Sequence, residues 1–408
     1  MADTGEQYEA SASALGYLFQ FAKALHICIE QWMSGDMAWN VAVEAADDIE
    51  IHQGTGDRRL IQLKQRAAGV RMTDLSEDLW KTLRIWAEAA KADRIVLAET
   101  RLFLLTTAEI PEGSAAFYLP PRGSQHRDEE RALGLLREAR KASKATKGPL
   151  PKCFEAFDNL DQGDRSLQSP LMSRIEILSG TPDINEVRNA LQGLAAFAVG
   201  HEAAQAFLTR LEGWFYNRVI EQMQTPGGRP VTGSEFDEML SDLQRQFRYD
   251  SLPIDPDISD MSFDPSEAVD QQFVRQLGLI GVGTERIELA VRDYVRAFTQ
   301  RSRWSGENLL RAGELGKYER KLVEEWRSRF AEMAEELGPE VTEEEKKKEA
   351  RRIYRWVDLE ARFPIRSGCD ESFVTKGSYH MLADELKVGW HPDYSARLIA
   401  LLEPARTH

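Results

Sequence analysis

The chain has 408 residues and a formal net charge of −15, with 42% hydrophobic and 29% charged residues. That length holds two or three domains with buried cores, and the balance is that of a globular protein, not a disordered or fibrous one. The acidic excess argues against a protein that coats nucleic acid by bulk electrostatics, although a local basic face would still suit DNA contact.

The apolar runs are much shorter than a membrane span, and no charged segment followed by an apolar run opens the chain. Neither a membrane segment nor a signal peptide is therefore expected. The three cysteines, Cys28, Cys153 and Cys369, are scattered and odd in number. They fit a reducing cytoplasm and neither a disulfide framework nor a zinc site.

Residues Glu9 to Trp32 read as a helix, with Leu15, Leu18, Phe19, Ala22, Leu25, Ile29 and Trp32 at helical spacing. Gly16 and Gln20 lie one turn apart on another stripe. Three strand-like runs follow: Val41–Glu44, Ile49–His52 and Arg58–Arg66. Gln53-Gly-Thr-Gly-Asp57 is a glycine-containing turn, so the last two runs form an antiparallel hairpin. Residues two apart share a strand face, which points Gln62 and Lys64 the same way. Asp48 stands at the mouth of the preceding strand and Glu44 ends the strand before it. An acid, an amide oxygen and an ammonium thus converge on one end of a small sheet. Hard divalent cations take oxygen ligands of this kind. A lysine beside such a cation can orient an attacking water and offset charge on a phosphoryl oxygen.

Ser76 can cap a second helix to about Lys91, with Glu77 and Asp78 at its positive end and Leu79, Leu83, Trp86, Ala87 and Ala90 on its buried face. Trp80 and Trp86 read as core. Arg94–Leu97 and Leu102–Thr107 read as buried strands, Glu129–Lys144 as a basic helix, and Ser173–Leu178 as a short strand. Beyond about residue 185 the pattern is helical: Val187–Val199, Ala203–Met223, Ser234–Phe247, Glu267–Leu279, Thr284–Thr299, Ser305–Leu337 with a break, and Thr342–Asp358. A Pro-rich loop, Pro253–Asp260 with Asp264-Pro265, interrupts it. Near the end, His380, Asp384 and His391 admit either a metal site or packing.

Basic side chains gather in two places. Arg58, Arg59, Lys64, Arg66 and Arg71 surround the acid–amide–lysine set. Arg137, Arg140, Lys141, Lys144, Lys147 and Lys152, with Glu138 among them, form either a DNA-facing run or a solvated helix face. No G-x-x-x-x-G-K-[ST] loop and no G-x-S-x-G elbow occurs, and Gly54-Thr-Gly56 belongs to the hairpin turn.

Asp48 followed by Gln62-Leu63-Lys64 resembles the catalytic core of the PD-(D/E)xK nucleases, an acid at the start of one strand and (D/E/Q)-x-K on the next. Gly16-Tyr17-Leu18-Phe19-Gln20, Glu44 with Asp47-Asp48, and Leu79-Trp80-Lys81-Thr82 narrow the resemblance to the Cap-type nuclease domain of bacterial anti-phage effectors, related to the Mrr restriction endonucleases. It extends to about residue 110. The order helix, three strands, helix, strand is that core's order. It implies an α/β nuclease domain over residues 1–185, with a mixed sheet flanked by helices, ahead of a mainly α-helical assembly and docking domain over 186–408. The resemblance further implies a Mg²⁺- or Mn²⁺-dependent endonuclease acting on double-stranded DNA. Asp48 would bind the cation, with the Gln62 side-chain oxygen and the Leu63 carbonyl as the other protein ligands. Glu44 would be a further ligand or a water-positioning group, and Lys64 would position the attacking water. Gln62 carries no negative charge, which implies a looser hold on the cation than two carboxylates give. Gln20, Arg59, Arg66, Lys141, Lys144 and Lys147 are the candidate DNA contacts.

Arg301-Ser-Arg-Trp304, Tyr318–Leu322, Glu325-Trp326, Lys376–Asp384 and Val388–Pro392 resemble the C-terminal domain of effectors of ABC-type three-component defence systems, across roughly residues 205 to 408. That resemblance implies docking onto an ATPase. A nuclease able to cut host DNA must be restrained, so a homo-oligomer held by a P-loop ATPase of the ABC or HerA type is expected. The alternative is a non-catalytic assembly subunit with a degenerate nuclease fold that recruits DNA or an ATPase.

Overall fold

The structure is a computed structural model that describes residues 4–397 apart from 55, 144, 146, 163–165, 226, 263–269 and 339, with side chains from residue 14 onward. It divides into two compact units, Met1–Ala195 with Leu208–Ser241, and Ala196–Phe207 with Asp242–His408.

The first unit is a six-stranded mixed sheet in the order β5-β4-β3-β2-β1-β6. Its strands are β1 (Trp39–Val43), β2 (Ile49–Gln53), β3 (Arg58–Lys64), β4 (Thr100–Thr106), β5 (Ile175–Leu178) and β6 (Val231–Thr232). β1, β2 and β3 form an antiparallel meander, with Ile49 opposite Ile61 and Val43 opposite Ile49. The β2–β3 turn closes through the Gln53 N–H to the Asp57 carbonyl, and Gly56 takes φ +83°, which glycine adopts at no steric cost. β3, β4 and β5 run parallel, and the crossover from β3 to β4 carries helix α2 (Glu77–Lys91). A parallel pair needs such a crossover.

Leu60 of β3, Leu102 and Leu104 of β4, and Ile175 and Ile177 of β5 form one core with Leu79, Trp80, Leu83 and Trp86 of α2. Leu133 and Leu136 of α3 (Glu129–Ala142) and Phe154 and Phe157 of α4 (Leu150–Asp158) join it. Trp80 meets both phenylalanines edge-on, so it is a core residue, as is Trp86. Helix α1 (Thr4–Met33) packs on β1. The expected boundary near residue 185 falls at the start of α6 (Ile184–Val199), whose residues to 195 cluster with this unit.

One expected strand is absent. Arg94–Leu97 is a turn: Asp93 takes φ +53°, its N–H bonds the Ala90 carbonyl, and the Arg94 N–H bonds the Ala89 carbonyl. These bonds cap the end of α2. Ile95 drops into the core while Val96 stays 54% exposed. The apolar run therefore anchors a helix end and pairs with no strand.

The second unit is helical. It contains α10 (Gln272–Leu279), α11 (Thr284–Gly306), α12 (Glu314–Glu336), α13 (Glu343–Leu359) and α14 (Ser372–Asp384). The expected break in the Ser305–Leu337 run lies between α11 and α12, where Asn308 and Gly313 take positive φ. The Thr342–Glu345 capping box opens α13 as its sequence signature indicates. α11 and α14 cross closely at Gly377, where an added Cβ would stand 2.1 Å from the Asp293 carbonyl oxygen. Asp264 and Pro265 lie outside the described residues, as do the first residues of the helix expected from Glu267. No helix among the described residues is long and apolar enough to cross a membrane.

Candidate active-site cleft

The β1–β2 connection brings the acids together. The Glu44 N–H bonds the Asp48 carbonyl at 3.0 Å, closing a five-residue turn with Glu44 at φ +53°. Non-glycine residues hold that conformation only where surrounding structure enforces it. Part of the enforcement comes from Gln222 of α7 (Ala204–Gln224). Its side-chain amide donates to the Val43 carbonyl at 3.0 Å and accepts the Val43 N–H at 3.1 Å, completing the end of β1 beyond its pairing with β6.

Asp48 sits just before β2 begins, where β3 runs on. One of its carboxylate oxygens accepts the Leu63 N–H at 2.7 Å, taking the ladder position that β2 vacates. A strand residue presents its N–H and C=O to the same neighbour, so the Leu63 carbonyl faces the Asp48 side as well. Leu63 and Lys64 then line a cleft of about 740 Å³ with Glu44, Asp48, Gln65 and Arg66. Leu15, Gly16, Tyr17, Phe19 and Gln20 from the middle of α1 line it too, with Ala67, Ala68 and Asp183. The Gln20 side chain lies near enough to the Glu44 carboxylate to favour its charged form.

Electrostatics tie this set together. Partial burial, then the Asp48 charge, raise the Glu44 carboxyl above its ordinary value, although the residue stays exposed at the cleft rim; Gln20 and Lys64 oppose the rise. Burial pushes Asp47 up to about 7, with the Trp86 N–H bond opposing and Asp48 adding to the push. Lys64 makes no ion pair among the described residues.

The donor set suits a hard cation. Gln62 lies one pleat in from Lys64, 2% exposed, and its side-chain oxygen has no hydrogen-bond donor. The side-chain oxygens of Gln20 and Gln65 are likewise buried and without donors. A buried acceptor left unpaired is costly, and a cation beside it would satisfy it. Glu44 and Asp48 supply carboxylates beside these amides and Asp183 lines the cleft as well, while among the described residues no group of three or more His, Cys, Asp or Glu is placed to share a metal.

The other candidate residues are dispersed. Arg59 lies at the far end of β3, about 17 Å along the strand from Lys64, held by Asp57 at 2.9 Å and Gln53 at 3.0 Å. Arg66 lines the cleft but is paired bidentately with Asp78, which raises its pKa further. Lys141, in the last turn of α3, and Lys147 are exposed; Lys144 lies outside the described residues. Arg137 binds Gln168 and Asp161, and Arg140 binds Asp158 over the Phe154 ring. Asp47 belongs to the Asp47-Asp48 pair that carries the resemblance, whereas Gln65 has no sequence signal beyond its place next to Lys64.

The two C-terminal histidines do not converge on a metal. His380 is packed among Phe273, Tyr354 and Trp390, and Asp384 accepts the Phe273 N–H at 3.3 Å. His391 is fully buried beside Glu343 and accepts the Asp393 N–H at 3.0 Å. Trp390 is in the core.

Residues 273–398 match the family described as C-terminal domain 7 of the ABC-three component (ABC-3C) systems. No curated protein and no solved structure matches the chain.

Proposed function

We propose that this chain is the DNA-cutting effector of an ABC-three component anti-phage system, a divalent-cation-dependent endonuclease held by a partner ATPase of the ABC or HerA type. The observation that carries the reading is the convergence of Glu44, Asp48, Leu63 and Lys64 on one cleft, while the oxygen of Gln62, two residues before Lys64 on the same strand, is buried and unpaired. The match to an ABC-3C C-terminal domain supports the system and the partner class.

Asp48, the Gln62 oxygen and the Leu63 carbonyl would hold Mg²⁺ or Mn²⁺, with Glu44 as a further oxygen. When bound, that ion supplies a Lewis acid for a phosphoryl oxygen and lowers the pKa of water. Lys64 orients the attacking water and faces the charge that develops on the phosphate. The Leu63 N–H fixes the orientation of Asp48, which a demanding octahedral ion requires. Lys141 and Lys147 are free to meet phosphates, and Arg66 joins them only when it leaves Asp78.

Plasmid cleavage in Mg²⁺, with and without the neighbouring ATPase, tests the reading. Asp48→Ala and Lys64→Ala should each lose several orders of magnitude in rate with the fold intact. Undiminished cleavage by either variant refutes the assignment. Among the described residues no three His, Cys, Asp or Glu are placed to share a metal, which favours a second reading, a non-catalytic subunit that recruits DNA or the ATPase. Wild-type protein that binds both yet cuts under no condition selects it. Mass measurement of the chain alone and with the ATPase tests a homo-oligomeric assembly of nuclease pairs.

A further inference from the structure

Asp47 is 8% exposed and Trp86 is 1% exposed, and the Trp86 indole N–H donates to one Asp47 oxygen at 2.6 Å. The other Asp47 oxygen accepts the Asp48 N–H at 3.0 Å. Asp48 in turn accepts the Leu63 N–H at 2.7 Å. Trp86, Asp47, Asp48 and Leu63 therefore form one hydrogen-bonded line from the core of α2, through the β1–β2 turn, to the end of β3.

Beyond the Glu44 N–H bond to the Asp48 carbonyl and the Gln222 bonds to Val43, the turn has few contacts of its own. Glu44, Ala45 and Ala46 are exposed, and alanine side chains offer few contacts. Asp47 is the turn's buried anchor, and a buried carboxylate is tolerated where its oxygens accept hydrogen bonds. A cation site needs its ligands held to within about half an ångström by such supporting contacts.

We propose that Asp47 and Trp86 are positioning residues, which fix Asp48 and so set the affinity of the cleft for a divalent cation. This rests on the cation reading of the cleft. Asp47→Asn keeps the shape but sets an NH₂ against one of the two N–H donors. Trp86→Phe removes the indole N–H and keeps an aromatic ring. Trp80→Phe is the control: Trp80 is equally buried on the same helix, but its N–H bonds the Asp74 carbonyl at 2.7 Å.

The experiment measures Mn²⁺ binding to the full chain by electron paramagnetic resonance, beside thermal unfolding without cation. Asp47→Asn and Trp86→Phe should each weaken Mn²⁺ binding on the order of 10- to 100-fold. Trp80→Phe should lower the unfolding temperature and leave Mn²⁺ affinity unchanged, which separates positioning from general loss of packing. Wild-type affinity in both Asp47→Asn and Trp86→Phe, with Asp48→Ala impaired, overturns the positioning roles alone. Equal loss in Trp80→Phe overturns them too. Wild-type protein that binds no Mn²⁺, or Asp48→Ala that binds normally, overturns the cation reading and this inference with it.

Discussion

Asp48 accepts the Leu63 N–H at 2.7 Å, and through that bond a side chain stands where the next strand residue would have paired. The side chain takes over from the backbone just before β2 begins at Ile49, while β3 continues to Lys64. The Gln62 side-chain oxygen, one residue before Leu63, is buried without a donor, and the first prediction concerns that atom.

Gln62→Glu should lower thermal stability in the absence of cation, since it buries a carboxylate at a 2% exposed position. Mg²⁺ or Mn²⁺ should restore that stability, giving a larger cation-induced rise in Tm than in wild type. Gln62→Ala should shift cleavage to higher Mg²⁺. An unaltered Mg²⁺ dependence in Gln62→Ala would show that Gln62 is not a ligand.

The basic run can be divided by what each side chain already touches. Reversing Lys141 and Lys147 to Glu should flatten the salt dependence of DNA binding, by up to about 2 in log–log slope if both meet phosphates. Arg137→Ala and Arg140→Ala should act mainly on stability, because both guanidiniums serve Asp161, Gln168 and Asp158. Binding titrations at several salt concentrations, beside unfolding curves, check both expectations. An unchanged slope in the lysine variant leaves a solvated face.

His380 predicts a pH dependence. Burial lowers its pKa to about 4, so the folded chain binds this proton less readily than the unfolded chain, whose histidine titrates near 6.5. The folded state is therefore not penalised above about pH 6.5. It loses stability as pH falls from there towards 4, by about 1.4 kcal/mol per pH unit. His380→Phe should remove that slope, so that the variant loses about 2 kcal/mol less than wild type between pH 6.5 and 5. Denaturant titrations of both proteins at the two pH values measure it, and parallel losses would refute it.

Gly377 predicts a packing effect confined to the second unit. An added Cβ would stand 2.1 Å from the Asp293 carbonyl oxygen and 2.4 Å from the Ala297 Cβ. Gly377→Ala must push α11 and α14 apart, at a cost of about 1–3 kcal/mol or more. Hydrogen exchange should quicken in those two helices and leave β1–β3 unaffected. Unchanged protection in α11 and α14 would show that the crossing adjusts freely.

Much of the architecture was legible because it is local. The β2–β3 hairpin follows from two alternating runs and a glycine turn, and the α13 start from a Thr-x-x-Glu box. Strand period puts Gln62 and Lys64 on one face, and the β2–β3 hairpin brings Asp48 beside them. The expectation for Arg94–Leu97 failed for a local reason too. An apolar run of three, Ile95–Leu97, fits a buried strand and a helix-end anchor equally well, and the Asp93 turn chose the second.

What the sequence by itself determined is the order of elements and which chemical groups share a strand face, because both depend on neighbours a few residues apart. Tertiary structure alone decided which of those groups remain available. Asp78 holds Arg66 across 12 positions, Trp86 holds Asp47 across 39, and Gln222 completes β1 across 179. No periodicity records such pairings. They depend on which donors and acceptors packing leaves unpaired at close range, and that is known only once the sheet, α2 and α7 have come together.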